Sequence, residues 1–282
     1  MIRLSLGSIF SLFVIFLAAP HADEQPSRIV SLGGSVTEIV YALGEGDRLV
    51  ARDTTSNYPP EANDLPDVGY IRRLSAEGVL SVDPDLILAE EGAGPPEVVA
   101  QLHQAGVPMV DVVETPTVEA IREKILTVGK ALGMEADAKT LADKVMQDLE
   151  TALETPVSAE KRVLFVLSMQ GGRIMASGQD TAADGMIELV GATNAMEGFS
   201  GYKTVTGEAV IAAAPDVILM MDRSGDHAMA NDDLFAHPAI ATTPAGENRA
   251  VIRMDGMRLL GFSVRTPEAA QELIAALNGL GS

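Results

Sequence analysis

The sequence predicts an α/β protein of two similar lobes with a ligand cleft between them. The first observation is an internal repeat. Gly69-Tyr70 is followed by Glu77 and then Pro84-Asp85, and Gly201-Tyr202 is followed by Glu208 and then Pro215-Asp216. Each copy runs into a short apolar segment, Leu86-Ile87-Leu88 or Val217-Ile218-Leu219. Self-similarity of this kind signals two units of like design. The second observation is that strand-like apolar runs alternate with helical periodicity along both halves, the pattern of parallel βαβ units. The third is the junction between the halves, a long helical stretch with no Gly/Ser-rich tether, which predicts a stiff connection. Two such lobes, Rossmann-like and joined by a single long helix, leave a cleft at their interface, a common place for a ligand.

The elements follow in order. Arg28–Leu32 reads as a strand turned by Gly33-Gly34-Ser35, and Thr37–Leu43 as a helix closed by Gly44. Leu49–Ala51 is a second strand. Leu74–Val82 is a helix with Ser75 as N-cap and Pro84 as its stop. Leu86–Ala89 is a buried strand, Pro96–Ala105 a helix and Val107–Val113 another strand. Val118–Leu132 and Ala136–Glu154 are long helices, the second with Leu141, Val145, Leu149 and Leu153 along one stripe. Strands resume at Val163–Leu167. A helix over Asp184–Val190, a helix from Glu208, strands at Val217 and at Ala250–Ile252, and a closing helix over Thr266–Leu277 complete the second half. The expected organisation is an N-terminal lobe over 27–133, a linking helix over 134–156 and a C-terminal lobe over 160–282.

Residues 1–22 read as a secretory signal peptide. Arg3 supplies the positive start, Ile9–Leu17 the apolar run, and small residues precede a cleavage expected after Ala22. The chain has no cysteine, so neither a disulfide nor a lipid-carrying thiol is available. Together these predict a soluble periplasmic protein without a lipid anchor. Asp and Glu number 40 against 20 Lys and Arg, a formal charge of −20. That balance argues against a nucleic-acid partner and suits docking onto basic patches of another protein.

Enzymatic signatures are missing. Gly33-Gly34-Ser35 lacks the Walker lysine and the dinucleotide glycine spacing. There is no cysteine nucleophile and no Gly-x-Ser-x-Gly elbow. His21, His103, His227 and His237 are too scattered for a histidine zinc site. Aromatic residues are only 4% of the chain, so each tyrosine counts. Tyr70 follows a turn and precedes Arg72 and Arg73. A phenol titrates at about pH 10 and needs a nearby cation or metal to be held as phenolate at neutral pH. A phenolate is a hard oxygen ligand suited to ferric iron, haem iron included.

The stretch Arg28–Ala89 resembles the periplasmic haem-binding proteins of bacterial ABC importers. The resemblance is carried by Ser31–Glu38, by Thr55-Ser56-Asn57-Tyr58-Pro59 and above all by Val68–Gly78, and in the second half by Gly201-Tyr202-Lys203 and Leu259–Thr266. The Pro-Asp strands are shared with cobalamin and ferric-siderophore binders, which keeps a binder of one of those ligands as the alternative. The resemblance implies the class III periplasmic binding protein fold, ferric haem b in the cleft as transported ligand, and an inner-membrane ABC permease with its ATPase as partner. It implies a monomer with no catalytic role. It matches the axial tyrosine to Tyr70. Some relatives carry a histidine on the second lobe where this chain has Met169-Gln170. Arg72, Met169, Tyr202, Lys203 and Arg223 are the other expected haem contacts, with Arg173, Arg258 and Arg265 as rivals of Arg223 for facing the tyrosine. Glu77 and Glu208, at matching places in the repeat, are the expected permease-docking carboxylates, one per lobe.

Overall fold

The computed structural model describes residues 25–158, 160–222 and 229–280. The expected signal peptide, its His21, and Arg223 and His227 lie outside the described residues.

Four strands, β1 (Ile29–Leu32), β2 (Leu49–Arg52), β3 (Leu86–Glu90) and β4 (Met109–Val112), form one parallel sheet in the order β2-β1-β3-β4. Every residue of β1 and β3 is buried, as expected of central strands covered on both faces. Between them run α1 (Gly34–Ala42), α2 (Ala76–Leu80) and α3 (Pro96–Gln104). Ser75 does cap α2, its side chain accepting from the Gly78 N–H at 3.0 Å.

Two helices lead to the second half. In α4 (Val118–Leu132) the Thr117 side chain caps the start, and left-handed Gly133 closes the end. The longer α5 (Glu135–Leu153) packs on α4 and also on the last helix. Its buried stripe is Ala138, Ala142, Val145 and Leu149, while Leu141 and Leu153 sit at the edge. The stripe begins with Ala138, a small residue, because Gly129 of α4 approaches closely there.

The second sheet contains β5 (Arg162–Gln170), β6 (Arg173–Ser177), β7 (Thr193–Asn194), β8 (Tyr202–Val205), β9 (Val217–Asp222) and β10 (Val251–Asp255). Its order is β10-β9-β5-β6-β8, with β7 on β5. Here the second half departs from a strict copy of the first: β5–β6 and β6–β8 are antiparallel. The reason is local. Gly171 and Gly172 both have positive φ, at 57° and 73°, which is what a two-residue hairpin turn requires. The first half turns at Gly33-Gly34 into a helix; the second turns at Gly171-Gly172 into a strand. The remaining helices are α6 (Ala182–Leu189), α7 (Gly207–Ala213), α8 (Asn231–Ala236), α9 (Pro238–Ala241), α10 (Pro244–Glu247), α11 (Gly256–Leu260) and α12 (Thr266–Gly279).

One apolar cluster runs through both halves. It joins Ile29 and Ile39 to Ile125 and Val145, and these to Phe165, Phe262 and Leu273. Each sheet has a smaller core on its other face. Burying this shared surface is the main stabilising term, and it ties the lobes together along α4, α5 and α12.

Candidate cleft between the two sheets

Ligands of open α/β sheets bind beyond the carboxyl ends of the strands. Here the two carboxyl edges meet. The segment after β1 (Gly34, Ser35, Glu38) touches the segment after β10 (Met257, Gly261–Arg265). The Ser263 hydroxyl donates to the Ser35 carbonyl at 3.2 Å, and Arg265 Nε donates to Glu38 Oε1 at 3.0 Å. Burial pushes the Glu38 carboxyl up, and the Arg265 bond and charge partly offset this.

Tyr70 is presented on this edge by a braced loop. The Val68 N–H donates to the Arg52 carbonyl at the end of β2, and the Thr54 N–H donates to the Gly69 carbonyl. Asp67 accepts from the Gly69 N–H at 2.8 Å and from Arg52 Nη1 at 3.0 Å. Ile71 and Leu74 are buried anchors, so the intervening turn is fixed while Tyr70 stays 47% exposed. The Arg72 guanidinium lies along the end of β3, donating to the Glu91 carbonyl at 3.1 Å. Gly69 has φ 104°, and its counterpart Gly201 has φ 80°. A side chain at either place would strain the backbone, so the repeated Gly-Tyr is a turn requirement in both copies.

The other tyrosine of the repeat has different surroundings. Tyr202 starts β8, the outer strand of the hairpin side, with its ring 6.2 Å from Phe165. Burial raises its phenol pKa, and the Thr181 hydroxyl and Ala183 backbone only partly oppose this. Lys203 places its ammonium 5.5 Å from the Phe199 ring centre. Met169 lies near the end of β5, half-buried against the second core. His237 reaches the neighbouring turn, but both its nitrogens are used: Nε2 contacts the Gly172 carbonyl at 3.1 Å, and Nδ1 accepts from the Ala239 N–H at 3.3 Å. It is a helix cap. His103 is exposed on α3. Among the described residues no cluster of His, Asp or Glu has metal-binding geometry. Of the rival arginines, Arg265 is spent on Glu38 and Tyr58, Arg258 pairs with Glu272, and Arg173 is exposed on β6.

Glu77 and Glu208 are each the second residue of a short helix, α2 or α7, behind a capping Ser75 or Thr206, and both are exposed. The Glu208 carboxyl is held below its usual range by its own backbone N–H and by Thr206. The Pro-Asp pairs have a clear structural task. Asp85 accepts from the Ser27 and Arg28 N–H groups at 2.8 and 3.0 Å, and Asp216 accepts from the Arg162 N–H at 2.8 Å. Each aspartate therefore fastens the strand beside it, β3 or β9, to the start of the central strand, β1 or β5.

Several cleft residues escaped prediction. Lys124 is fully buried and donates to Ser35 Oγ at 3.1 Å and to the Gly261 carbonyl at 3.2 Å, and Glu90 accepts from the Ser35 hydroxyl. The signal was present: Lys124 falls among Ile121, Ile125 and Val128 on the apolar stripe of α4.

The fold and this facing of strand ends are those of a two-lobe binding protein. The chain belongs to the periplasmic binding protein family, whose pattern matches residues 29–257. Among solved structures it is similar to the periplasmic heme-binding protein BhuT in complex with two hemes, at 42% identity, TM-score 0.86, covering 90% of this chain and 99% of that one. It is also similar to the periplasmic heme-binding protein RhuT from Roseiflexus sp. RS-1 in apo form, at 39% identity, TM-score 0.87 and coverage of 91% and 99%. Curated relatives include the uncharacterized ABC transporter substrate-binding lipoprotein YvrC of Bacillus subtilis, 32% identical over 71% of this chain and 65% of the relative. They also include the vitamin B12-binding protein of Vibrio campbellii, 28% identical over 80% and 81%.

Proposed function

We propose that this protein binds ferric haem between its lobes and delivers it to an inner-membrane ABC permease. The observation that carries the reading is the likeness to haem-binding proteins over nine-tenths of the chain, at an identity well above that of the B12-binding relatives. Tyr70 is the proposed axial oxygen ligand, supported by its exposure on a braced loop at the carboxyl edge. Arg72, Lys203 and Arg223 are the proposed cations for the phenolate and the haem propionates, and Met169 and Tyr202 the proposed packing contacts. Glu77 and Glu208 are the proposed docking carboxylates. The proposed division is an N-terminal lobe over 27–133, α5 within a linking segment over 134–156, and a C-terminal lobe over 160–282.

The protein works in this reading as a monomeric, non-catalytic carrier, free in the periplasm, whose permease is driven by an ATPase. The absence of cysteine supports the unanchored form, since no thiol is available for a lipid. Titration of purified protein with ferric haem tests the proposal. A saturable visible spectrum of tyrosine-ligated ferric haem, lost in Tyr70→Ala and altered in Tyr70→Phe, is the expected result. An unchanged spectrum in Tyr70→Phe removes the ligand assignment. Tight cobalamin binding with no haem binding replaces haem by the alternative cargo that the B12-binding relatives suggest.

A further inference from the structure

The internal repeat carries more than a turn and a carboxylate. Helices α2 and α7 each begin behind a hydroxyl cap, Ser75 or Thr206, and each is followed by the aspartate that fastens the next strand, Asp85 or Asp216. They lead into equivalent strands, β3 beside β1 and β9 beside β5, so the two helices hold matching places on the two sheets. Within them three positions coincide: Glu77 with Glu208, Val79 with Val210, and Leu80 with Ile211. The two valines are fully buried and supply the packing. The third position is fully buried in neither copy. Leu80 is half-buried at the margin of the first sheet's smaller core. Ile211 is 47% exposed and, among the described residues, belongs to no apolar cluster. Ala209 and Ala212 beside it are exposed as well. A lone exposed aliphatic side chain calls for no explanation. One that recurs in both lobes, three residues after the same carboxylate, does.

We infer that Leu80 and Ile211 are apolar anchors for the membrane permease, each seated in an apolar pocket of the partner beside a cation that meets Glu77 or Glu208. The inference rests on the docking role proposed above for those two carboxylates and adds the source of affinity. Exposed ion pairs steer the encounter and weaken with salt, whereas an aliphatic side chain buried in a pocket holds the complex in any salt. Two like patches on one chain suit a partner with two like faces, which a two-fold symmetric dimer presents. A second copy of this chain fits poorly, because each patch would bring its own carboxylate onto a molecule of net charge −20. Ile211 has more surface left to bury than Leu80 and is the stronger anchor.

Binding of haem-loaded protein to the source organism's haem permease and ATPase, held in lipid nanodiscs, is measured at about 50 mM and about 500 mM sodium chloride. Ile211→Ser is expected to weaken binding roughly tenfold at both salt concentrations. Leu80→Ala is expected to act in the same direction by less. Glu208→Gln is expected to weaken binding at low salt and to change little at high salt. Leu280→Ser, at another exposed aliphatic residue beyond the end of α12, is expected to leave binding unchanged. Retained haem binding shows that each variant is folded. Wild-type affinity in Ile211→Ser, with Glu208→Gln weakened, overturns the anchor and leaves the docking carboxylates standing. Failure of the haem-loaded wild type to bind the permease overturns both. Self-association of the wild type that Ile211→Ser abolishes assigns the face to a second copy and overturns the inference, as does an equal loss of permease binding in Leu280→Ser.

Discussion

Arg265, at the start of α12, reaches Glu38 in the middle of α1, and the same guanidinium lies over the Tyr58 ring with 3.8 Å to its centre. The carboxylate side chain is 3% exposed and the guanidinium 11%. The pair joins the two halves of the molecule, and the tyrosine covers it from the side.

Removing one member of a buried ion pair strands the other charge without water or partner. Glu38→Ala leaves the Arg265 guanidinium only the half-exposed Asp255 carboxylate at 3.8 Å, so the loss is expected at the lower end of about 3–5 kcal/mol. Replacing both residues is expected to cost less than Glu38→Ala alone. Denaturant melts of the two variants check this, and a Glu38→Ala change near zero would show that the pair is hydrated in solution.

Asp85 and Asp216 tie neighbouring strands to β1 and β5. Burial pushes the Asp85 carboxyl up, but the bonds from the Ser27 and Arg28 N–H groups outweigh it and hold the pKa below the ordinary aspartate value. A lowered folded-state pKa gives stability that is present above the unfolded value and lost as pH falls through the folded one. Asp85→Asn is therefore expected to narrow the stability gap between pH 6 and pH 2. Asp216→Ala, which removes a charged acceptor from the Arg162 N–H, is expected to cost about 1.5–3 kcal/mol at neutral pH. Thermal melts across pH measure both.

The two tyrosines of the repeat are expected to behave unlike each other. Tyr202 is 37% exposed against 47% for Tyr70, but its phenol end lies against Thr181 and Ala183, and burial there disfavours the anionic form. Tyr202→Phe is expected to leave the spectrum of a haem complex unchanged, while Tyr70→Phe shifts it. A spectral shift in Tyr202→Phe would move the ligand assignment to the second lobe.

Glu77 and Glu208 are exposed at the second position of matching helices, where negative charge also suits the helix N-terminus. Exposed charges of this kind set the rate and orientation of encounter and weaken with salt. Glu77→Lys with Glu208→Lys is expected to leave ligand binding intact, slow transport in reconstituted vesicles several-fold, and flatten the dependence of transport on salt. A wild-type rate in the folded, ligand-binding double variant would reduce the two residues to helix-terminal carboxylates.

Much of this protein is legible in its sequence because the signals are local. Val118–Leu132 has the predicted boundaries to the residue, since a threonine cap and a left-handed glycine mark its ends. The repeat marks like helices after like turns, and the buried strands announce themselves by unbroken apolar runs. The hairpin β5–β6 is not among the expected elements, although Gly171-Gly172 is a strong turn signal, because matching Asp184–Val190 to Thr37–Leu43 leads from one strand directly to the next helix. What only the tertiary structure decided is which residues meet across the cleft. Glu38 and Arg265, or Lys124 and Gly261, are separated by more than half the chain or nearly so, and no periodicity links them. A buried charge is tolerated only where a partner waits, and that partner is supplied by the packing of α1, α4 and α12 rather than by sequence neighbours.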